Sequence, residues 1–147
     1  DKQLPPQRAK QRGAEIRAAF VAAIDGLADL LVATKAASDR GYIKSIDGRK
    51  IKVDSPHKSL NYLLQSGAGI IAKRWLVIAN DTARQCKLYA DQLAFIHDEI
   101  QYECHPDHVD DLKFSLEMSA VAAGEYYNLR IPIAAEAGEG TTWNETH

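Results

Sequence analysis

The stretch Gln92–Cys104, QLAFIHDEIQYEC, constrains the fold more than any other part of the chain. Two short apolar runs, LAFI and IQYEC, flank His97, Asp98 and Glu99. With only His97-Asp98 as connection, the two runs read as an antiparallel hairpin. Two-residue turns favour Asn-Gly or Gly-X, because their backbone needs positive φ. His-Asp in that place therefore looks retained for its chemistry rather than for folding.

A second hairpin signal follows Gly41. YIKSIDGRKIKV alternates around Asp47-Gly48, a pair suited to a left-handed turn. Helical spacing fills the rest. Over 14–37, Ile16, Phe20, Ile24, Leu27 and Leu31 share one face, with Gly26 as a weak point. DSPHKSLN starts a middle helix, with Ser55 placed to cap it and Pro56 at the first helical position. Leu60, Leu64, Ile71, Trp75 and Ile78 form its expected buried stripe, as far as about Leu88. His105-Pro106 opens a third helix with Val109, Leu112, Leu116, Ala120 and Ala123 on one face, ended by Asn128. RIPIAAEAGEG reads as a last strand and turn. The order predicts an α+β fold in which antiparallel hairpins pack with three main helices. Residues 1–12 are expected to be a loose segment, and 13–147 one folded portion.

Length and composition fit a single globular domain or part of a larger one: 147 residues, 46% apolar and 26% charged. No apolar run approaches the roughly 20 residues that cross a bilayer, which argues against a membrane helix. DKQLPPQRAKQRG lacks the apolar core of a secretory signal, and Cys86 and Cys104 form no CxxC pair. A reduced, cytoplasmic chain is the expectation. The net charge of −2 hides a division. Residues 1–75 carry 14 Lys and Arg against 7 Asp and Glu, whereas 76–147 carry 4 against 13. A basic half beside an acidic half suits a polyanion held next to a cation site, and equally two solvated faces.

Four constellations bear on chemistry. Acids at a hairpin tip suit Mg²⁺, which takes one or two carboxylates together with substrate phosphates. Asp98 and Glu99 point in different directions, so one of them supports the other; an ordinary solvated turn would look the same. His57, Asn61 and Gln65 recur at helical spacing, followed by Gly67, Ala68, Gly69 and Ala72. Their N–H donors match the acceptors that every base pair presents in the DNA minor groove, although a solvent-facing polar edge has the same pattern. Gly67-x-Gly69-x-x-Ala72 imitates a dinucleotide-binding fingerprint but falls inside a helical pattern, where that motif does not work. Cys104, His105 and His108 offer zinc-type donors at a spacing that fits no usual ligand set.

Taken in order, DGRKIKVDSPHKSLNYLLQSGAGIIAKR, FIHDEIQYEC and IPIAAEAGEGTTW with terminal His147 resemble the C-terminal palm segment of family A, DNA polymerase I type, DNA polymerases. The SPHKSLNYLLQS wording is closest to phage replicative polymerases. The resemblance runs from near Lys10 to His147. It implies template-directed nucleotide addition by two-metal phosphoryl transfer on primer–template DNA with deoxynucleoside triphosphates, in a bacterial or phage-infected cell. It implies that Asp98 holds two Mg²⁺ ions with a partner aspartate, that Glu99 supports the site, and that His97 lies by the primer terminus. Asn61 and Gln65 match minor-groove positions; His57 stands where relatives often carry arginine, and Thr142-Trp143 where the family has Asn-Trp. The partner aspartate and the nucleotide-gripping fingers helix have no match in these 147 residues, so the chain is expected to need the missing N-terminal part of the polymerase and to be inactive alone. A noncatalytic DNA-binding module and one chain of a split polymerase are the alternatives.

Overall fold

The fold is that of a computed structural model, which describes residues 5–146. Residues 1–4 of the expected loose segment, and the terminal His147, lie outside the described residues. From Pro6 onward the segment is helical. Pro6 opens α1 (Pro6–Ala23), where its fixed φ suits the first turn and its missing N–H costs nothing. The single helix expected over 14–37 is two helices. Gly26 adopts φ 75, and α2 (Leu27–Asp39) restarts beyond it, with Leu30 N–H donating to Gly26 O. The apolar face of α1 is not buried within the described residues: Ile16 and Phe20 are each 58% exposed.

The described residues group into two compact units, one running to Lys44 and including Lys50–Leu63, the other comprising Ser45–Arg49 and the chain from Leu64 onward. In the first, β1 (Tyr42–Lys44) pairs antiparallel with β2 (Lys50–Lys52), Ile43 opposite Ile51. Ile43 and Val53 are buried there beside Thr34 and Ser38 of α2. The Thr34 hydroxyl donates to the carbonyls of Leu30 and Leu31, so its burial leaves no unmet hydrogen bond. Ser55 precedes a short 3₁₀ turn, Pro56–Lys58, but its side chain makes no capping bond. The buried Ser59 hydroxyl donates to Pro56 O instead.

α3 (Ser59–Gln85) runs from the first unit into the second. Its buried line is not the expected one. Leu64 is exposed, and beyond Ser59 the most enclosed positions are Gly67, Ile70, Ala79 and Ala83, with Ile71, Trp75 and Ile78 half-buried beside them. Small side chains let neighbouring elements approach, so the line of closest packing follows them and the large residues flank it. α4 (Val109–Tyr126) buries Leu112, Ala120 and Ala123 on the expected face. Trp75 Nε1 donates to Leu116 O at 2.8 Å, joining α3 to α4. The last turn of α4 closes where expected, with Asn128 at φ 51 and Leu129 N–H donating to Gly124 O.

The strand expected over RIPIAAEAGEG is absent. These residues follow α4 without pairing to either sheet. Pro132 offers no N–H to a ladder, and the segment is held by side chains instead: Glu117 accepts from Ala137 N–H, and Lys113 pairs with Glu139. Gly124 makes room for it, since a Cβ there would lie 2.9 Å from Ile133 Cγ1. The remaining expectation, antiparallel hairpins packed with helices in an α+β fold, describes the architecture. No helix of the described residues is long and apolar enough to cross a membrane.

Candidate active site

β3 (Ala90–Ile96) and β4 (Glu99–Cys104) form a two-stranded antiparallel sheet whose closing pair is Ile96 opposite Glu99. His97-Asp98 is therefore a two-residue turn. Only His97 carries positive φ, at 56, a conformation histidine enters more readily than most residues. His97 and Asp98 are exposed, and Glu99 is half-buried with its carboxylate accepting from Gln101 Nε2. The two acids thus differ in setting. Asp98 projects at the tip, while Glu99 is engaged along its own strand.

The hairpin is anchored at its middle. The register shifts between Gln92 and Ala94, leaving Leu93 as a bulge. Beside it, Tyr102 OH donates to Asn80 Oδ1 at 2.7 Å, and Asn80 Nδ2 donates to Gln92 Oε1 at 2.9 Å. These three residues carry no motif, and nothing in the sequence singles them out.

Asn61 and Gln65 are exposed one turn apart on α3. His57 is exposed in the preceding 3₁₀ turn, outside the α-helix proper, so the stripe is regular only over Asn61 and Gln65. The glycine motif at 67–72 lies within α3, as its helical pattern required. The His105 and His108 rings sit T-shaped with centroids 6.2 Å apart, His105 Nδ1 accepts from Asp107 N–H, and burial pushes the Cys104 thiol up. Among the described residues no three His, Cys, Asp or Glu side chains are grouped so as to hold a metal ion.

The profile described as "DNA polymerase family A" matches residues 9–145. The chain belongs to DNA polymerase family A. It is 34% identical over 115 residues to the DNA-directed DNA polymerase of Enterobacteria phage T3, which covers 74% of this chain and 16% of that protein. Against the DNA-directed DNA polymerase of Escherichia phage Phieco32 it is 30% identical over 142 residues, 92% of this chain and 23% of the other. A solved structure described as the "POL domain of Pol1 from M. smegmatis complex with DNA primer-template and dNTP" superimposes with a TM-score of 0.80 at 21% identity, over 95% of this chain and 27% of that one. The chain thus spans less than a quarter of the length of these phage relatives and shares the fold of part of a polymerase domain.

Family A DNA polymerases work with divalent metal ions. The donor set here fits a share of such a site rather than the whole of it. One exposed carboxylate at a turn is what a hard cation accepts alongside substrate phosphates and water, and among the described residues Asp98 belongs to no group of three such side chains that would close a site.

Proposed function

We propose that this chain supplies the Asp98 hairpin and the Asn61–Gln65 helix face to a template-directed DNA polymerase. The observation that carries the proposal is the family match over residues 9–145 combined with His97-Asp98-Glu99 at the closing turn of β3 and β4. Its relatives named as DNA-directed DNA polymerases, and a fold-mate solved with primer–template DNA and dNTP, support DNA and deoxynucleoside triphosphates as the substrates.

Asp98 presents an anionic oxygen at the end of a short, turn-closed hairpin, exposed to an incoming cation. Glu99 shapes the base of the turn through its contact with Gln101. His97 holds the strained position of the turn and faces the primer terminus. Mg²⁺, when bound, supplies charge neutralisation of the phosphates and activation of the primer 3′-hydroxyl. Asn61 and Gln65 donate to purine N3 and pyrimidine O2 atoms, which all correct pairs present alike, so this face senses pair geometry without reading sequence. His57 lies at the start of the same segment and contacts the DNA backbone or groove edge. The partner aspartate and the nucleotide-binding helix come from the rest of the polymerase, and the whole works in the cytoplasm of a bacterial or phage-infected cell.

The test is single-turnover primer extension by the full-length enzyme containing this segment, with Asp98→Asn beside wild type. Near-abolished incorporation with unchanged primer–template affinity is expected. Near-normal incorporation by the variant would remove Asp98 from the active site, and unchanged DNA binding without any metal-dependent synthesis by wild type would favour a noncatalytic module.

A further inference from the structure

The β3–β4 hairpin has no third strand among the described residues. A lone two-stranded hairpin is marginal in water, yet its register decides which residues occupy the turn. A slip of one position would move every side chain to the opposite face and carry Asp98 out of place. The bulge at Leu93 is where such a slip would start, because one residue there is already unpaired.

Asn80 spans that point from α3. Its carboxamide accepts from Tyr102 OH and donates to Gln92 Oε1, and Tyr102 and Gln92 are cross-strand partners, the last pair before the bulge. A single side chain thereby ties both strands to α3, which Trp75 in turn ties to α4. Burial pushes the Tyr102 phenol up, so it keeps the proton it donates.

We infer that Asn80 is a positioning residue: by bridging Tyr102 and Gln92 to α3 it fixes the register of the hairpin, and with it the place of Asp98. The inference rests on the proposed role of Asp98 in nucleotide addition. It assigns Asn80 no contact with substrate.

The chemistry of the bridge supplies its own control. Asn80→Asp keeps an acceptor for Tyr102, and Gln92 can turn its amide over to donate to the second carboxylate oxygen. Asn80→Leu keeps the volume and loses both bonds. In the full-length enzyme, Asn80→Leu is expected to lower the single-turnover rate at saturating nucleotide about tenfold, within the range that a misplacement of about 1 Å costs. The apparent nucleotide and primer–template affinities should change by less than about twofold, since no substrate contact is lost. Asn80→Asp should recover most of the rate, and Tyr102→Phe should add little to Asn80→Leu, because both break one network. Wild-type rates for Asn80→Leu, or a loss in Asn80→Asp equal to that in Asn80→Leu, would overturn the inference. Should Asn80→Leu fail to fold, Tyr102→Phe, which removes a single oxygen atom, decides the matter in the same way. Asp98→Asn is run alongside. If that variant extends normally, the proposed function fails; if it is dead while Asn80→Leu is normal, only the positioning role fails.

Discussion

The two hairpins solve the same backbone problem with different residues. Between β1 and β2, Gly48 takes the positive φ of 83 and its N–H donates to Ser45 O, closing a tight turn. The acid at that tip, Asp47, is occupied by its neighbour: Arg49 Nε donates to it at 2.6 Å and Arg49 N–H at 3.2 Å. Between β3 and β4 no glycine is present. His97 takes the positive φ, and Asp98 is displayed beside it. The first tip is built to fold, with its charge paired internally. The second accepts a less favourable backbone residue and keeps its acid outward. Identical chemistry, an aspartate at a hairpin tip, thus has opposite meanings, and the neighbouring residues decide which.

The sharpest way to break this contrast is to neutralise both acids. In the full-length enzyme, Asp98→Asn should slow single-turnover incorporation by about a thousandfold or more, several kcal/mol of transition-state stabilisation. Asp47→Asn should leave the rate within about twofold, since its charge serves only Arg49. Comparable losses from both would show that tip charge in general, not Asp98, matters. For the same reason, a polypeptide of these 147 residues alone should extend no primer in Mg²⁺ above an Asp98→Asn background, because one carboxylate does not fix a metal pair.

Backbone substitutions probe the turns themselves. Gly48→Ala should destabilise the chain by about 1–2 kcal/mol, the cost of placing a Cβ in the left-handed region. His97→Gly should be neutral or slightly stabilising in the same denaturant titration, while lowering activity. A strongly destabilised His97→Gly would mean that the histidine is held there for packing.

Gln65→Ala tests a site that senses fit rather than chemistry. One lost hydrogen bond to a neutral acceptor is worth about 0.5–1.5 kcal/mol, so DNA affinity should barely move while the discrimination between matched and mispaired primer ends changes. Unchanged relative extension of the two would place that helix face away from the base pair.

The smallest expected effect is a titration. Burial pushes the Asp47 carboxyl up, but hydrogen bonds from the Arg49 backbone and side chain, and its charge, outweigh this and hold it below the usual aspartate range. A carboxyl depressed in the folded state stabilises above its unfolded value, and that contribution disappears as pH falls through the folded one. The Arg49 amide resonance should therefore begin to shift only below about pH 4, the ordinary aspartate value. A midpoint at or above that value would mean that the pair with Arg49 is not formed in solution.

Much of this was legible in the residues. Alternating runs joined by two or three turn-forming residues can only fold back antiparallel, and both hairpins are where the pattern placed them. Pro56 and Pro106 begin 3₁₀ turns that lead into α3 and α4, and the buried face of α4 matches its apolar spacing. Family membership was legible too, because His97-Asp98-Glu99 follows Asn61 and Gln65 in order and at distance. The failures have a common origin. RIPIAAEAGEG has strand-like residues but pairs with neither sheet, and a strand exists only in a pair. The stripe through Leu64 and Ile71 has helical periodicity, but Leu64 is exposed, Ile71, Trp75 and Ile78 are only half-buried, and full burial falls on Gly67, Ile70 and Ala79 around them.

What the sequence determined by itself was local: turn geometry, helix starts, and the order of chemically marked residues, all set by interactions within a few positions. What only the tertiary structure decided was which side chains meet across the chain. Asn80 is 12 residues from Gln92 and 22 from Tyr102, and no periodicity links them. Hydrogen bonding between them depends on α3 passing across the hairpin, and that crossing follows from packing as a whole, which no short stretch of residues encodes.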